Sequence, residues 1–95
     1  MKFLSTFKIT QGFDAWLKMY KEIEPDLNEL GIKVLWAGTN SDENKVFDVT
    51  EVKDPLKFEV LTKREDITQK RIDAGVELES QEVIDTITRD YWATD

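Results

Sequence analysis

The sequence contains neither cysteine nor histidine. These absences exclude disulfides, thiol nucleophiles, imidazole acid–base catalysis, histidine-ligated haem and zinc-finger sites. No apolar run approaches the roughly 20 residues that a membrane-spanning helix needs, and the first residues lack the sustained apolar segment of a signal peptide. We therefore expect a cytoplasmic protein that holds no metal and no cofactor.

Basic residues are also in short supply, with 13 Lys and Arg against 20 Asp and Glu and a formal net charge of −7. Such a surface repels the phosphates of nucleic acids and the anionic headgroups of membranes, so we expect neither as a partner. Copies of the chain repel one another for the same reason. Any self-association must therefore rest on the burial of apolar surface.

The chain has enough bulky apolar side chains to fold, since 40% of its residues are hydrophobic and 11% are aromatic. This composition argues against intrinsic disorder. A length of 95 residues leaves room for one core. We therefore expect a single domain over residues 1–95.

The first half of the chain alternates between strand and helix patterns. Residues 2–9 alternate in the manner of a strand with one apolar face. Thr10 is placed to cap a helix that stops at Gly31, with a kink or a restart expected at Pro25. The apolar residues at helical spacing are Phe13, Trp16, Leu17, Tyr20, Ile23, Leu27 and Leu30. A polar turn at 39–44 then joins two β-rich runs, 32–38 and 45–52, as a hairpin.

The second half begins with Asp54-Pro55, an N-cap carboxylate followed by proline at the first helical position. A looser apolar stripe runs from there to Gly75, with a break expected near 63–66. Residues 76–80 resemble a connection, and 82–92 predict the last strand. A helix over 80–90 is the alternative for this last element.

The resulting order, β-α-β-β-α-β, predicts an α+β fold of the ferredoxin-like type, with an antiparallel sheet that carries its helices on one face. The strands have apolar residues in both phases: Ile32, Val34 and Trp36 in one phase of the second strand, Leu35 and Ala37 in the other. Two helices can cover one sheet face only. A second copy of the chain would cover the other, so we expect a homodimer.

The whole chain resembles the dimeric α/β-barrel superfamily, which includes antibiotic-biosynthesis monooxygenase-like and stress-responsive barrel domains. More narrowly, it resembles a small cyanobacterial family of about this length. The segments that carry the resemblance are KFLSTFKI, the helix FDAWLKMYKEIEP, the hairpin, the exit VTEVKDPLKF, the helix end IDAGV and the closing strand. The resemblance implies two ferredoxin-like sheets packed face to face as a dimeric α/β barrel, with the helices outside. It specifies a fold and not a chemistry.

Haem-degrading members of that superfamily use a histidine or an asparagine beside the haem. The histidine is absent here, and Asn28, Asn40 and Asn44 match no such position. No catalytic set can therefore be carried over, and the catalytic residues stay unassigned.

The residues themselves offer a candidate pocket. Asp48 lies within an apolar strand, where a carboxylate is unusual unless it is paired or exposed. It could bind a ligand hydroxyl or act as a base, or it could simply be solvated or paired with Lys8 or Arg89. The other candidate pocket residues are Trp36, Tyr20, Thr6, Thr50, Thr86 and Thr88. Tyr91 and Trp92 are large groups near the end of the chain and are candidate interface residues.

We expect a binding module without catalysis, specific for a small hydrophobic molecule or a protein. The alternative is a cofactor-independent monooxygenase-like or isomerase-like enzyme that acts on a small aromatic substrate. In that enzyme Asp48 or Tyr20 would transfer a proton and Trp36 would hold the ring. A third possibility is a subunit that docks through an edge strand or through Tyr91 and Trp92.

Overall fold

The computed structural model describes residues 1–93. Its helices and strands are β1 (Lys2–Ile9), α1 (Phe13–Glu29), β2 (Ile32–Thr39), β3 (Lys45–Val52), α2 (Pro55–Thr62), α3 (Glu65–Asp73) and β4 (Val76–Ile87). The strands form one antiparallel sheet in the order β2-β3-β1-β4. The predicted α+β class and the ferredoxin-like arrangement are confirmed, and the expected break near 63–66 divides the second helical region into α2 and α3.

One face of the sheet, which we call the inner face, packs against the helices. Its centre is formed by alternate residues of β1 and β3, with Phe7 opposite Val46 and Ser5 opposite Asp48. The helix α1 lays its apolar stripe on this face, as its spacing predicts. The buried residues of α1 are Trp16, Met19, Tyr20, Ile23 and Leu27. Ile67 of α3 joins the same core.

The ends of α1 are set by glycines and not by a threonine cap. The residue before the helix is Gly12, with φ +86°, and no side chain caps the helix. The Phe13 amide instead donates to Glu43 Oε1 at 2.9 Å, so the prediction of Thr10 as the N-cap is wrong. The Thr10 hydroxyl donates to the Gly75 carbonyl at 3.3 Å. The helix runs through Pro25 and stops before Gly31, which has φ +75°.

A bulge in β2 reverses the face on which its aromatic residue lies. Val34 faces Thr50 of β3, and two residues later Trp36 faces Val49, the next residue of β3. Leu35 is the extra residue. Trp36 therefore leaves the phase of Val34 and lies on the opposite face, which we call the outer face, where it is 48% exposed. The prediction that Trp36 shares a phase with Ile32 and Val34 is wrong.

The last strand starts earlier and ends earlier than the prediction of 82–92. The strand begins at Val76, directly after Gly75, and it stops at Ile87. Gly75 has φ +90°, and its carbonyl accepts from the Thr10 amide at 2.9 Å, which places the following residues beside β1 at once. Glutamates alternate with the apolar residues at 76–79. Because glutamate is uncommon in strands, the sequence of this segment resembles a connection.

Two glycines each follow a helix and have positive φ, but the space around them differs. A Cβ at Gly31 would meet only the Lys53 side chain, at 3.3 Å. A Cβ at Gly75 would come within 2.7 Å of Thr10 Oγ1, 2.9 Å of Gln11 Cγ and 3.1 Å of the Gln11 amide nitrogen.

We predict that Gly31→Ala lowers the free energy of unfolding by about 1 kcal/mol, the cost of a left-handed non-glycine residue. Gly75→Ala should cost about 3 kcal/mol, because steric overlap with Thr10 and Gln11 adds to that cost. Urea unfolding followed by circular dichroism measures both values. Equal losses for the two variants would show that Gly75 packs less closely against Thr10 and Gln11 than described.

Candidate ligand-binding cavity

A cavity of about 440 Å³ lies between the inner face of the sheet and the helices. All four strands and all three helices of the described chain contribute to its walls. Most of the lining is apolar, and the polar lining residues include Asp48, Tyr20, Arg71 and Gln81. Sites for small molecules occupy roughly 300–1,000 Å³ and combine apolar walls with a few convergent polar groups. The cavity has the size and the lining of such a site.

Asp48 provides a buried carboxylate in the wall of the cavity. It lies mid-strand in β3, points to the inner face and is only 5% exposed. Ser5 Oγ and Thr50 Oγ1 both donate to its Oδ1 atom, at 2.7 and 2.8 Å. Within residues 1–93, its Oδ2 atom accepts no hydrogen bond and the carboxylate forms no ion pair. The suggested pairing with Lys8 or Arg89 is therefore wrong.

Arg71 of α3 supplies a positive charge to the same cavity. Its Nη2 donates to Gln81 Oε1 at 2.8 Å, and its Cζ atom lies 5.7 Å from the centre of the Phe7 ring. The sequence analysis missed this residue. The available signal was its spacing, because Arg71 lies four residues after the buried Ile67 and therefore on the same face of α3.

The two charges influence each other without direct contact. Burial raises the pKa of Asp48, and the Ser5 and Thr50 hydroxyls and the Arg71 charge oppose that rise. Burial lowers the pKa of Arg71, and the Asp48 charge opposes that change. Each group thus lowers the cost of burying the other.

Tyr20 brings a phenol to the cavity wall. Its ring stacks on Trp16 with the ring centres 5.4 Å apart, and the residue is 8% exposed. Its hydroxyl is buried and has no hydrogen-bond partner among the described residues. The Val34 backbone and the Glu24 carboxylate lie close enough to affect its pKa, which burial raises, but neither makes a regular hydrogen bond. An unpaired buried hydroxyl costs about 1–3 kcal/mol.

The structure brings three of the candidate pocket residues together. Asp48, Tyr20 and Thr50 all line the cavity, and Ser5, which the sequence analysis did not select, joins them through its hydrogen bond. Trp36 lies on the outer face, with its indole over Gly38, and is not part of the lining.

The remaining candidate threonines lie outside the cavity, although Thr86 shares the inner phase with Thr50. Thr6 belongs to the outward phase of β1 and donates to the Val46 carbonyl at 2.9 Å. Thr86 lies opposite Phe3 at the end of β4, and Thr88 lies beyond that strand. None of these three residues lines the cavity.

The candidate interface residues lie in the segment after β4. Tyr91 is 87% exposed and Trp92 is about half exposed. The Trp92 indole donates to Asp90 Oδ2 at 3.1 Å, and Lys2 Nζ lies 2.6 Å from the same oxygen. Because Lys2 shares the outward phase of β1 with Leu4, this ion pair holds the segment at the border of the outer face.

No protein-family model and no curated protein matches this chain. Among residues 1–93, no cluster of acidic side chains is arranged to hold a metal ion. None of the helices in that range has the length and apolar character needed to cross a bilayer. The assignment of function therefore depends on the geometry of the cavity and of the outer face.

The raised pKa of Asp48 predicts a specific pH dependence of stability. The folded state holds this proton more tightly than the unfolded state does, so Asp48 costs stability as pH rises through its folded pKa. Asp48→Asn removes that cost. We expect the stability of the variant relative to wild type, measured by urea unfolding at a series of pH values, to increase as pH rises above about 4, the ordinary pKa of an aspartate.

Asp42→Asn is the control, because Asp42 is exposed in the turn between β2 and β3 and its loss changes the net charge equally. The comparison cancels the titration of all other acids. A difference between Asp48→Asn and wild type that stays constant with pH would contradict the burial of a charged Asp48.

Proposed function

We propose that the protein is a homodimeric binding module that holds a small, mostly apolar molecule in the cavity between its helices and its sheet. The observation that carries this proposal is the combination of apolar walls with the buried carboxylate of Asp48, whose Oδ2 atom accepts no hydrogen bond among residues 1–93. A bound molecule that donates to Oδ2 would offset part of the cost of burying this carboxylate.

A binding role without catalysis agrees with the residues available. The sequence has no histidine and no cysteine, and no catalytic set could be carried over from the superfamily that the chain resembles. In the enzymatic alternative, Asp48 acts as a base and Trp36 holds an aromatic substrate. The raised pKa of Asp48 suits this residue to act as a base. Trp36, however, lies on the outer face, away from the cavity. The binding role does not require Trp36 to reach the cavity.

We predict that N-phenyl-1-naphthylamine, a neutral apolar dye, binds wild-type protein with a rise in fluorescence. Thr68→Phe should weaken this binding at least about tenfold, because Thr68 lines the cavity and a phenyl ring there occupies the space of the ligand. Gln69→Phe is the control, since Gln69 is the next residue of α3, is exposed and does not line the cavity.

The dye titration separates the outcomes clearly. Equal affinities for both variants would place the dye outside the cavity. A wild-type protein that does not bind the dye would count against the binding module itself.

The proposed dimer rests on the outer face of the sheet. This face carries Trp36, Phe47, Val49 and Leu4 in its outward phase, while the buried core that includes α1 and α3 lies on the inner face. Basic residues of the outer face lie opposite acidic ones, Lys33 opposite Glu51 and Lys8 opposite Glu77. The acidic excess of the chain is thus compensated here, which favours the approach of a second copy.

We predict that wild-type protein sediments at twice the chain mass of 11.1 kDa. Trp36→Lys should shift the protein to a monomer, because it replaces a large apolar group of the proposed interface with a charge. Leu56→Lys is the matched control, since Leu56 of α2 is 75% exposed on the helix side and should leave the dimer intact. A monomeric wild type in analytical ultracentrifugation would contradict the proposal.

A further inference from the structure

The cavity offers acceptors and donors at different points of its wall. The Ser5 and Thr50 hydroxyls direct their protons to Asp48 Oδ1, so the Oδ2 atom of Asp48 stays available as an acceptor. A molecule that satisfies this oxygen must donate a hydrogen bond to it.

Arg71 presents the opposite requirement. Of its five N–H groups, one donates to Gln81, and within residues 1–93 no carboxylate lies within 4.0 Å of its nitrogens. No Arg71 nitrogen of the described chain is buried without a partner, and its remaining N–H groups can donate to an acceptor on a ligand.

The charges in the cavity restrict the ligand further. Asp48 and Arg71 are the two charged residues of the lining, and their charges offset each other. A ligand carboxylate would place a second negative charge near Asp48, and a ligand ammonium would place a second positive charge near Arg71. Both cases bring like charges together at the cavity wall, where Asp48 is only 5% exposed and repulsion is stronger than in bulk water.

Building on the proposed function, we propose that the ligand is an aromatic or aliphatic molecule that ends in a neutral group with both donors and acceptors, best a primary carboxamide. The N–H₂ of an amide donates to Asp48 Oδ2, and its carbonyl accepts from Arg71. An alcohol has its donor and acceptor on one oxygen, whereas an amide carries them on separate atoms. The amide therefore spans a wider gap between Asp48 and Arg71 than a single hydroxyl oxygen does.

The test uses 2-naphthamide, 2-naphthoate and 2-naphthylmethylamine, which share one ring system and are neutral, negative and positive at pH 7. Isothermal titration calorimetry on wild-type protein should give the amide an affinity at least about tenfold above that of either charged probe. Asp48→Asn should raise the affinity for 2-naphthoate about tenfold or more, because the Arg71 charge is then unopposed. Arg71→Gln should raise the affinity for the amine in the same way.

Asp42→Asn is the control for net charge, since Asp42 is exposed in the turn between β2 and β3 and does not line the cavity. It should leave the order of the three affinities unchanged. Circular dichroism checks that each variant is folded, and the wild-type order of affinities decides the proposal even if one variant is not.

A charged probe that binds wild type as tightly as the amide overturns the ligand class. Binding of the neutral dye without binding of any naphthyl probe also overturns it and leaves the cavity as a binding site. If neither the dye nor the probes bind, the proposed function itself has failed.

Discussion

The packing of α1 on the inner face of the sheet is the contact on which the rest of the structure depends. Trp16 lies at its centre, with ring centres 5.9 Å from Phe7 of β1 and 5.4 Å from Tyr20. Five residues of α1 are buried, against one of α3 and none of α2. The helix α1 therefore covers most of this face. The cavity lies where α2 and α3, which bury fewer residues, cover the rest.

The polar residues of that region act against the stability of the fold. Burying the Asp48 carboxylate on the inner face costs desolvation free energy. Its interactions with Ser5, Thr50 and Arg71 offset only part of that cost. An apolar residue of similar size would pack there without such compensation. Groups whose pKa values are shifted by burial concentrate at functional sites, and here such a group shares its cavity with an unpaired phenol. The fold thus loses stability at the wall of the cavity that we propose as a ligand site.

The sequence predicted those elements whose residues repeat with one regular period. The stripe of α1, the hairpin and the Asp54 cap, which accepts from the Leu56 amide at 3.0 Å, all have local causes. Asp48 was detectable because a carboxylate in an apolar strand is an exception. β1, whose residues alternate with a period of two, likewise had its signal within a few neighbouring residues.

The failures have non-local causes. The extra residue Leu35 is visible only through the pairing of β2 with β3, and counting alternate positions assigns Trp36 to the wrong face. The start of β4 depends on Gly75 lying beside Thr10, 65 residues away in sequence. Arg71 resembles any basic residue at the end of a helix until α3 is placed against the sheet.

The thin cover provided by α2 has a consequence for kinetics. This helix has no buried residue, yet Pro55, Phe58 and Leu61 lie against the cavity. Segments with few buried contacts open at a free-energy cost well below that of global unfolding. Local opening of α2 therefore costs little free energy and widens the path between the cavity and solvent. Residence time of a bound molecule would then follow the local opening of α2, and strengthening the sheet would raise the melting temperature without slowing release.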